Sequence, residues 1–203
     1  MLIESKAFGP YETNCYIIHQ DNKQWIIDPG MGAFDWVVQK CCNPQAILLT
    51  HGHFDHIFDV AILKKHFPQL QIFCPREDAF MLKDDCFDTG ITPCIPDIEI
   101  SGNKSFVKLD VSSLEIIYHH FPGHTPGCSI IELDECIFSG DFIFRRSIGR
   151  FDFPYSNALD MKESLERFRA LKRDKDKIIY SGHGEHTSLF AEQENVRFWI
   201  QRM

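Results

Sequence analysis

Apolar residues along this chain fall into short runs whose spacing switches between two periods. Segments 12–19 and 24–28 are rich in Ile, Tyr and Trp and predict strands. Pro29-Gly30 breaks the second one. Phe34, Val37, Val38 and Cys41 then recur at helical spacing, and a short helix is expected there. Segment 46–50 is a compact apolar run, as a strand buried on both faces requires, and it leads directly into His51. Val60, Leu63 and Phe67 mark one face of a second helix, which Pro68 ends.

The middle of the chain is less regular. A strand is expected over 71–74 and a helix over 76–83. Segment 84–103 carries two prolines and two glycines and predicts a loop. Strands are expected over 114–121, 128–133, 135–139 and 177–180. Met161, Leu165 and Phe168 define a helix over 159–171, with Asn157 as its cap. Val196, Trp199 and Met203 place a last helix from Leu189 onward. Strands and helices are thus mixed at both hairpin-like and crossover-like spacings, which predicts helices covering two mixed sheets.

The 203 residues suit one domain over 1–203. A net charge of -8 makes the chain a poor general binder of nucleic acid or of anionic membrane. No run approaches a membrane span, and Met1 to Lys6 lack the basic start and apolar stretch of a signal peptide. A cytoplasmic protein acting on a small molecule, without nucleic-acid or membrane partner, is the expectation. The sequence identifies no protein partner. The 8 cysteines are scattered without zinc-ribbon spacing, and are read as small buried hydrophobes of a reducing compartment.

The candidate chemistry centres on Thr50-His51-Gly52-His53-Phe54-Asp55-His56. Three imidazoles and a carboxylate within six residues, directly after an apolar strand, can converge on one point, and they suit zinc, iron and related metals. Three further candidates share that setting: His124 after 114–121, Asp141 after 135–139 and His183 after 177–180. Each follows a predicted strand and touches a glycine. Seven donors exceed one tetrahedral site and suit two metals sharing a carboxylate. His19, His66, His119 and His120 lie within predicted strands or helices and are read as packed or surface residues. His186 lies near His183 without a strand-end setting.

This ordered set, from Ile27-Asp28-Pro29-Gly30 through the 51–56 run to His183, resembles the metallo-β-lactamase superfamily, and within it the small glyoxalase II-like (hydroxyacylglutathione hydrolase-like) enzymes. The resemblance implies an α+β fold, an αβ/βα four-layer sandwich of two mixed β-sheets flanked by helices. It implies that His51, His53 and His124 bind one metal, that Asp55, His56 and His183 bind a second, and that Asp141 bridges them. Two Zn(2+) per chain are expected, with Fe or mixed Fe/Zn as alternatives. The implied reaction is hydrolysis of a small thioester such as an S-acyl-glutathione by a hydroxide bridging the metals, with Asp55 also orienting it. True β-lactamases of the family typically lack the bridging aspartate, which points away from antibiotic degradation. Asp28 looks like the family's aspartate beside the metal loop, and a turn residue before Pro29 is the other reading.

Segment 140–152 resembles a stretch shared by glyoxalase II-like and persulfide dioxygenase-like members. Arg150 is its candidate substrate contact, and Arg145 and Arg146 read equally as solvated surface. Residues 184–203 leave room for one helix and not for the helical domain that binds glutathione in full-length glyoxalase II enzymes. Glutathione recognition therefore stays open. Two other activities resemble parts of this pattern, a one-iron persulfide dioxygenase-like oxidoreductase and a phosphodiesterase or nuclease. The acidic charge and the lack of a basic arm count against the second. A non-catalytic metal-binding relative would be expected to lose ligands, and here the set is complete.

Overall fold

A computed structural model describes residues 1–203. Strands β1 (Leu2–Phe8), β2 (Thr13–Gln20), β3 (Lys23–Ile27), β4 (Pro44–Leu48), β5 (Gln71–Pro75) and β6 (Ile98–Ile100) form one sheet in chain order. β1, β2 and β3 pair antiparallel, and β3 through β6 pair parallel. Helices α1 (Phe34–Lys40), α2 (Phe54–Ile57), α3 (Val60–His66) and α4 (Ala79–Lys83) occupy its connections. The second sheet holds β7 (Phe106–Val111), β8 (Leu114–His120), β9 (Ser129–Glu132), β10 (Cys136–Gly140), β13 (Ile178–Ser181) and β14 (Thr187–Ser188), in the order β14-β13-β10-β9-β8-β7. Only β10 and β13 run parallel there. Between them in the chain lie a small ribbon, β11 (Ile143–Phe144) with β12 (Ser147–Ile148), and helix α5 (Ala158–Ala170). Helix α6 (Leu189–Ile200) follows β14.

Period-two alternation of the strands assigns each face to a different core. From β2, Tyr16 and Ile18 enter a central core, while Cys15 and Ile17 enter an outer one. β3 and β4 do the same, with Trp25, Ile27, Ala46 and Leu48 inward and Ile26 and Ile47 outward. Facing them across the centre are Ile116, Tyr118, Ile131 and Phe138 of the second sheet. The outer core of the first sheet packs against Val37, Val60 and Leu63 of its helices. That of the second sheet packs against Met161, Leu165 and Phe168 of α5 and Leu189 and Val196 of α6. Three apolar layers thus separate four structural ones, the αβ/βα sandwich. No helix is long and apolar enough to cross a membrane.

The expected helix over 159–171 forms with Asn157 as its cap, the side chain accepting from the Leu159 and Asp160 amides. Several elements depart from the sequence reading. β1 is mostly exposed and its apolar residues, Leu2, Ile3, Ala7 and Phe8, do not alternate, so its seven-residue pairing with β2 is what makes it a strand. β7 is likewise an edge strand with alternate residues exposed, and β6 lies within the expected loop, where its pairing to β5 holds it. The helix expected over 76–83 splits into a 3₁₀ turn, Arg76–Asp78, followed by α4. All eight cysteines are free. Five are buried, but Cys42 is exposed and Cys86 and Cys94 are half-buried, against the uniform burial expected.

Candidate metal centre

The seven candidate donors meet at one edge of the sandwich, where β4, β8, β10 and β13 end. The hydrogen bond from the Asn14 amide to Gly182 O, at 2.7 Å, ties the two sheets together beside them. Their ligand atoms form two groups. His51, His53 and His124 lie within 4.8 Å of one another, as do Asp55, His56 and His183. Asp141 stands between: Oδ1 is 3.2 Å from His56 Nε2, and Oδ2 is 3.5 Å from His124 Nε2 and 3.3 Å from His183 Nε2. Asp28, His51 and His56 form a third such group, so the two sets expected from the sequence lie side by side in one continuous cluster.

The outward nitrogens of these rings are held by other groups. His51 Nδ1 lies 3.0 Å from Thr50 Oγ1, and His56 Nδ1 lies 3.0 Å from Asp28 Oδ2. His124 Nδ1 donates to Arg150 O at 2.7 Å, and His183 Nδ1 to Tyr11 O at 2.9 Å. Thr13 Oγ1 donates to Asp55 Oδ2 at 2.7 Å. Such partners fix ring orientation and leave the other nitrogen to face inward. Inside the cluster, His51 Nε2, His56 Nε2 and Asp141 Oδ1 are buried without a hydrogen bond, and His53 Nδ1 and His124 Nε2 face each other at 2.8 Å. Orphaned polar atoms at this density are costly unless a cation completes them. The residues fit a pair of first-row divalent ions, and a nitrogen and carboxylate donor set suits zinc and iron alike.

Asp28 combines both readings that the sequence left open. It is a buried turn residue with φ +48°, and its carboxylate accepts from the Thr50 amide at 2.8 Å and the Thr50 hydroxyl at 2.5 Å as well as contacting His56. A second buried aspartate, Asp78, gave no sequence signal among the neighbouring acids. It accepts from the Gly52 amide at 2.9 Å, the Thr125 hydroxyl at 2.5 Å and the Gly127 amide at 2.5 Å. One carboxylate thus joins the loop carrying His51 and His53 to the loop carrying His124. Burial raises its pKa to about 6, against the pull of these three donors.

Charge is strongly polarised within the cluster. Burial, reinforced by neighbouring imidazoles, drives His51 well below the usual histidine range and His53 to about 3. Burial opposes ionisation of Asp55 and Asp141. The charge on His56 outweighs it, aided by hydrogen bonds from His183, so Asp55 lies at about 2 and Asp141 well below the carboxylate range. Burial likewise opposes charge on His183, but Asp141 and Asp55 raise it to about 9. Protons on His56 and His183 balance the charge of Asp55 and Asp141, a role that bound cations would take over.

The other expected residues lie elsewhere. Arg150 reaches the cleft, but its guanidinium donates to both oxygens of Asp152, at 2.9 and 2.8 Å, and its carbonyl is the group that orients His124. Arg145 pairs with Glu185. His186 lines a separate polar groove with Ser5, Asn14 and Tyr180. The glycines beside the candidate donors are required by close packing: a Cβ on Gly182 would overlap Asp141 Oδ1, and one on Gly140, at φ +49°, would overlap Thr50 Oγ1. They let strand ends approach each other.

A four-layer sandwich with clustered imidazoles and carboxylates at one edge defines the class of metal-dependent hydrolases. The family model described as "Metallo-beta-lactamase superfamily" matches residues 8–183, and the chain belongs to that superfamily. It is 34% identical to hydroxyacylglutathione hydrolase GloC of Haemophilus influenzae, over 98% of each chain. Among solved structures it is similar to BLEG-1 B3 metallo-beta-lactamase, with 28% identity, TM-score 0.83 and coverage of 95% of this chain and 97% of that one. It is also similar to TTHA1623 in a di-iron-bound form, with 28% identity, TM-score 0.79 and coverage of 95% and 98%.

Proposed function

We propose that the protein hydrolyses a small thioester, such as an S-acyl-glutathione, at a dinuclear centre held by His51, His53, His124, Asp55, His56, His183 and Asp141. The observation that carries the reading is Asp141, whose two carboxylate oxygens face both ligand groups. The full-length similarity to a hydroxyacylglutathione hydrolase supports the substrate class. A shared carboxylate between two complete ligand groups also favours two ions over the one-iron alternative.

When bound, two divalent ions supply Lewis acidity and an activated water near neutral pH. The chain's own residues do the rest. Asp55, ionised at neutral pH and fixed by Thr13, orients the attacking water. Thr50, Asp28, Tyr11 O and Arg150 O hold the imidazoles in place, so that little reorganisation accompanies charge development. Water adds to the acyl carbon and the carbon–sulfur bond then breaks, giving a carboxylate and a thiolate; of the two protons of water, one is taken up by the thiolate and the other is released to solvent. A thiolate leaves without a strong general acid. No cysteine lines the cleft, so none serves as nucleophile.

The test is elemental analysis of protein purified without added metal, beside thioester, β-lactam and persulfide-oxidation assays on the same sample. Two ions per chain with thioester turnover is the expected result. In Asp141→Asn the stoichiometry falls to one or less and turnover falls ~10²-fold or more, the scale of losing a preorganised charge-stabilising group. One iron per chain with oxygen uptake, or β-lactam cleavage without thioester cleavage, would overturn the reading.

A further inference from the structure

The cleft above the ligand cluster has aromatic walls. Phe87 meets the His53 ring edge-on at 5.5 Å between centroids, and Phe153 stands against His53 at 5.9 Å and His124 at 6.1 Å. On the other side Tyr11 packs on Phe54 at 5.5 Å, and Phe144 lies 6.0 Å from His183. The cavity measures about 800 Å³, room for far more than a two- or three-carbon group. Phe153 and Tyr11 are exposed to solvent at 38% and 59%, and Phe54, Phe87 and Phe144 are half-buried. Partly exposed aromatic rings around a reactive centre offer a seat for an apolar group.

Polar recognition is sparse on the same walls. Arg150 is the one cationic side chain lining the cleft apart from its histidines. Its guanidinium is committed to Asp152 and lies 4.3 Å from the Phe153 ring centroid, where it braces that ring. A carboxylate-bearing substrate portion placed between Phe87 and Phe153 would lose water, and would gain a cation only by drawing Arg150 away from Asp152. The charged end of a thioester therefore belongs toward solvent, and its uncharged end against the rings.

Resting on the thioester reading above, we propose that the acyl group of the substrate is apolar and of aromatic-ring size, seated between Phe87 and Phe153, and that these two side chains set acyl selectivity. A small hydroxyacyl group would leave the seat largely unfilled, so the preferred acyl group differs from one.

The test uses the metal-loaded full chain and four glutathione thioesters: acetyl, phenylacetyl, 2-hydroxypropanoyl and 2-hydroxy-3-phenylpropanoyl. Within each pair only a ring is added, and the leaving thiol is constant. The expected result is a kcat/KM higher by about tenfold or more for each ring-bearing member, the scale of discrimination by a shaped apolar pocket. Phe87→Leu and Phe153→Ala should reduce that ratio to within about threefold of unity. Because the quantity read is a ratio on one sample, partial loss of folded protein cancels. A wild-type ratio near or below unity overturns the proposal, as does a ratio that survives both substitutions. Product binding separates this proposal from the reaction itself. If no thioester is cleaved, the hydrolase reading fails, and calorimetry of phenylacetate against acetate on the same protein still decides the seat. Binding tighter by about tenfold for phenylacetate upholds it, and equal binding removes it.

Discussion

Asp78 touches no candidate metal ligand, yet its carboxylate joins the backbone between His51 and His53 to the turn that follows His124. Removing it frees two loops that must converge on one ion. In Asp78→Ala, metal affinity measured by chelator competition should fall ~10- to 100-fold, the usual effect of deleting a group that orients ligands. Asp78→Asn should recover part of that loss through its remaining acceptor oxygen. Unchanged affinity in both variants would show the loops hold themselves. A pH dependence follows from His183 at the same scale. Its folded pKa of about 9 lies above the ordinary value of 6.5, so its ion pairs with Asp55 and Asp141 stabilise the metal-free protein fully below pH 6.5 and are lost as pH rises through 9. Metal needs the neutral ring. Competition titrations at pH 6, 7 and 8 should therefore show apparent affinity rising with pH, by about tenfold per unit for each proton displaced. A flat profile would mean that no proton leaves on binding.

At the scale of elements, strand ends rather than strands carry the chemistry. β4 delivers His51, β8 leads to His124, β10 to Asp141 and β13 to His183, and the first turn of α2 holds Asp55 and His56. α5 contributes from outside. Asn157 caps it and donates its amide to Gly123 O, one residue before His124, and Ser164 Oγ donates to Pro122 O at 2.7 Å. The cap therefore anchors the His124 turn as well as the helix. Asn157→Ala should cost ~1 kcal/mol in urea unfolding, the common effect of losing a side-chain cap. Metal affinity should fall by only a small factor, since the Asn157 backbone bond is retained. A stability change near zero would indicate that the backbone contact alone fixes the helix start.

Over the whole molecule, the second sheet holds a buried charge cluster. Glu132 of β9 is 3% exposed and accepts from Arg173, from Lys177 Nζ at 2.7 Å and from His119 Nε2 at 2.6 Å. Burial opposes its ionisation, but Arg173 and its other two partners hold the carboxyl well below the usual carboxylate range. A depressed folded pKa contributes stability above the ordinary carboxylate value of about 4.5, and that contribution is lost as pH falls toward the folded value. Wild-type protein should thus lose stability on acidification below pH ~4.5. Glu132→Ala should be ~3–5 kcal/mol less stable at neutral pH, because Arg173 and Lys177 lose a buried partner. It should also lose this part of the acid dependence. Thermal melts across pH 3 to 7 check both, and a variant as stable as wild type would show the cluster to be neutral.

The central strands, the capped helix α5 and the candidate metal donors are legible along the chain, because each is written in local periodicity or in a short motif at a strand end. The 51–56 run and the strand-end settings of His124, Asp141 and His183 are legible for that reason. The tertiary structure makes a strand of β1, whose apolar residues do not alternate, by pairing it with β2, whereas in β7 Val107, Leu109 and Val111 do alternate with exposed residues. It decided Asp78 and the carbonyls of Tyr11 and Arg150, since a hydrogen bond across 26 to 172 residues leaves no trace in composition. It also redirected Arg150 from a free cation to a bound one, and gathered Tyr11, Phe54, Phe87, Phe144 and Phe153 around one cleft. Local physics fixes which residues can bind a metal. Only the packing of two sheets fixes what surrounds that metal and which substrate can approach it.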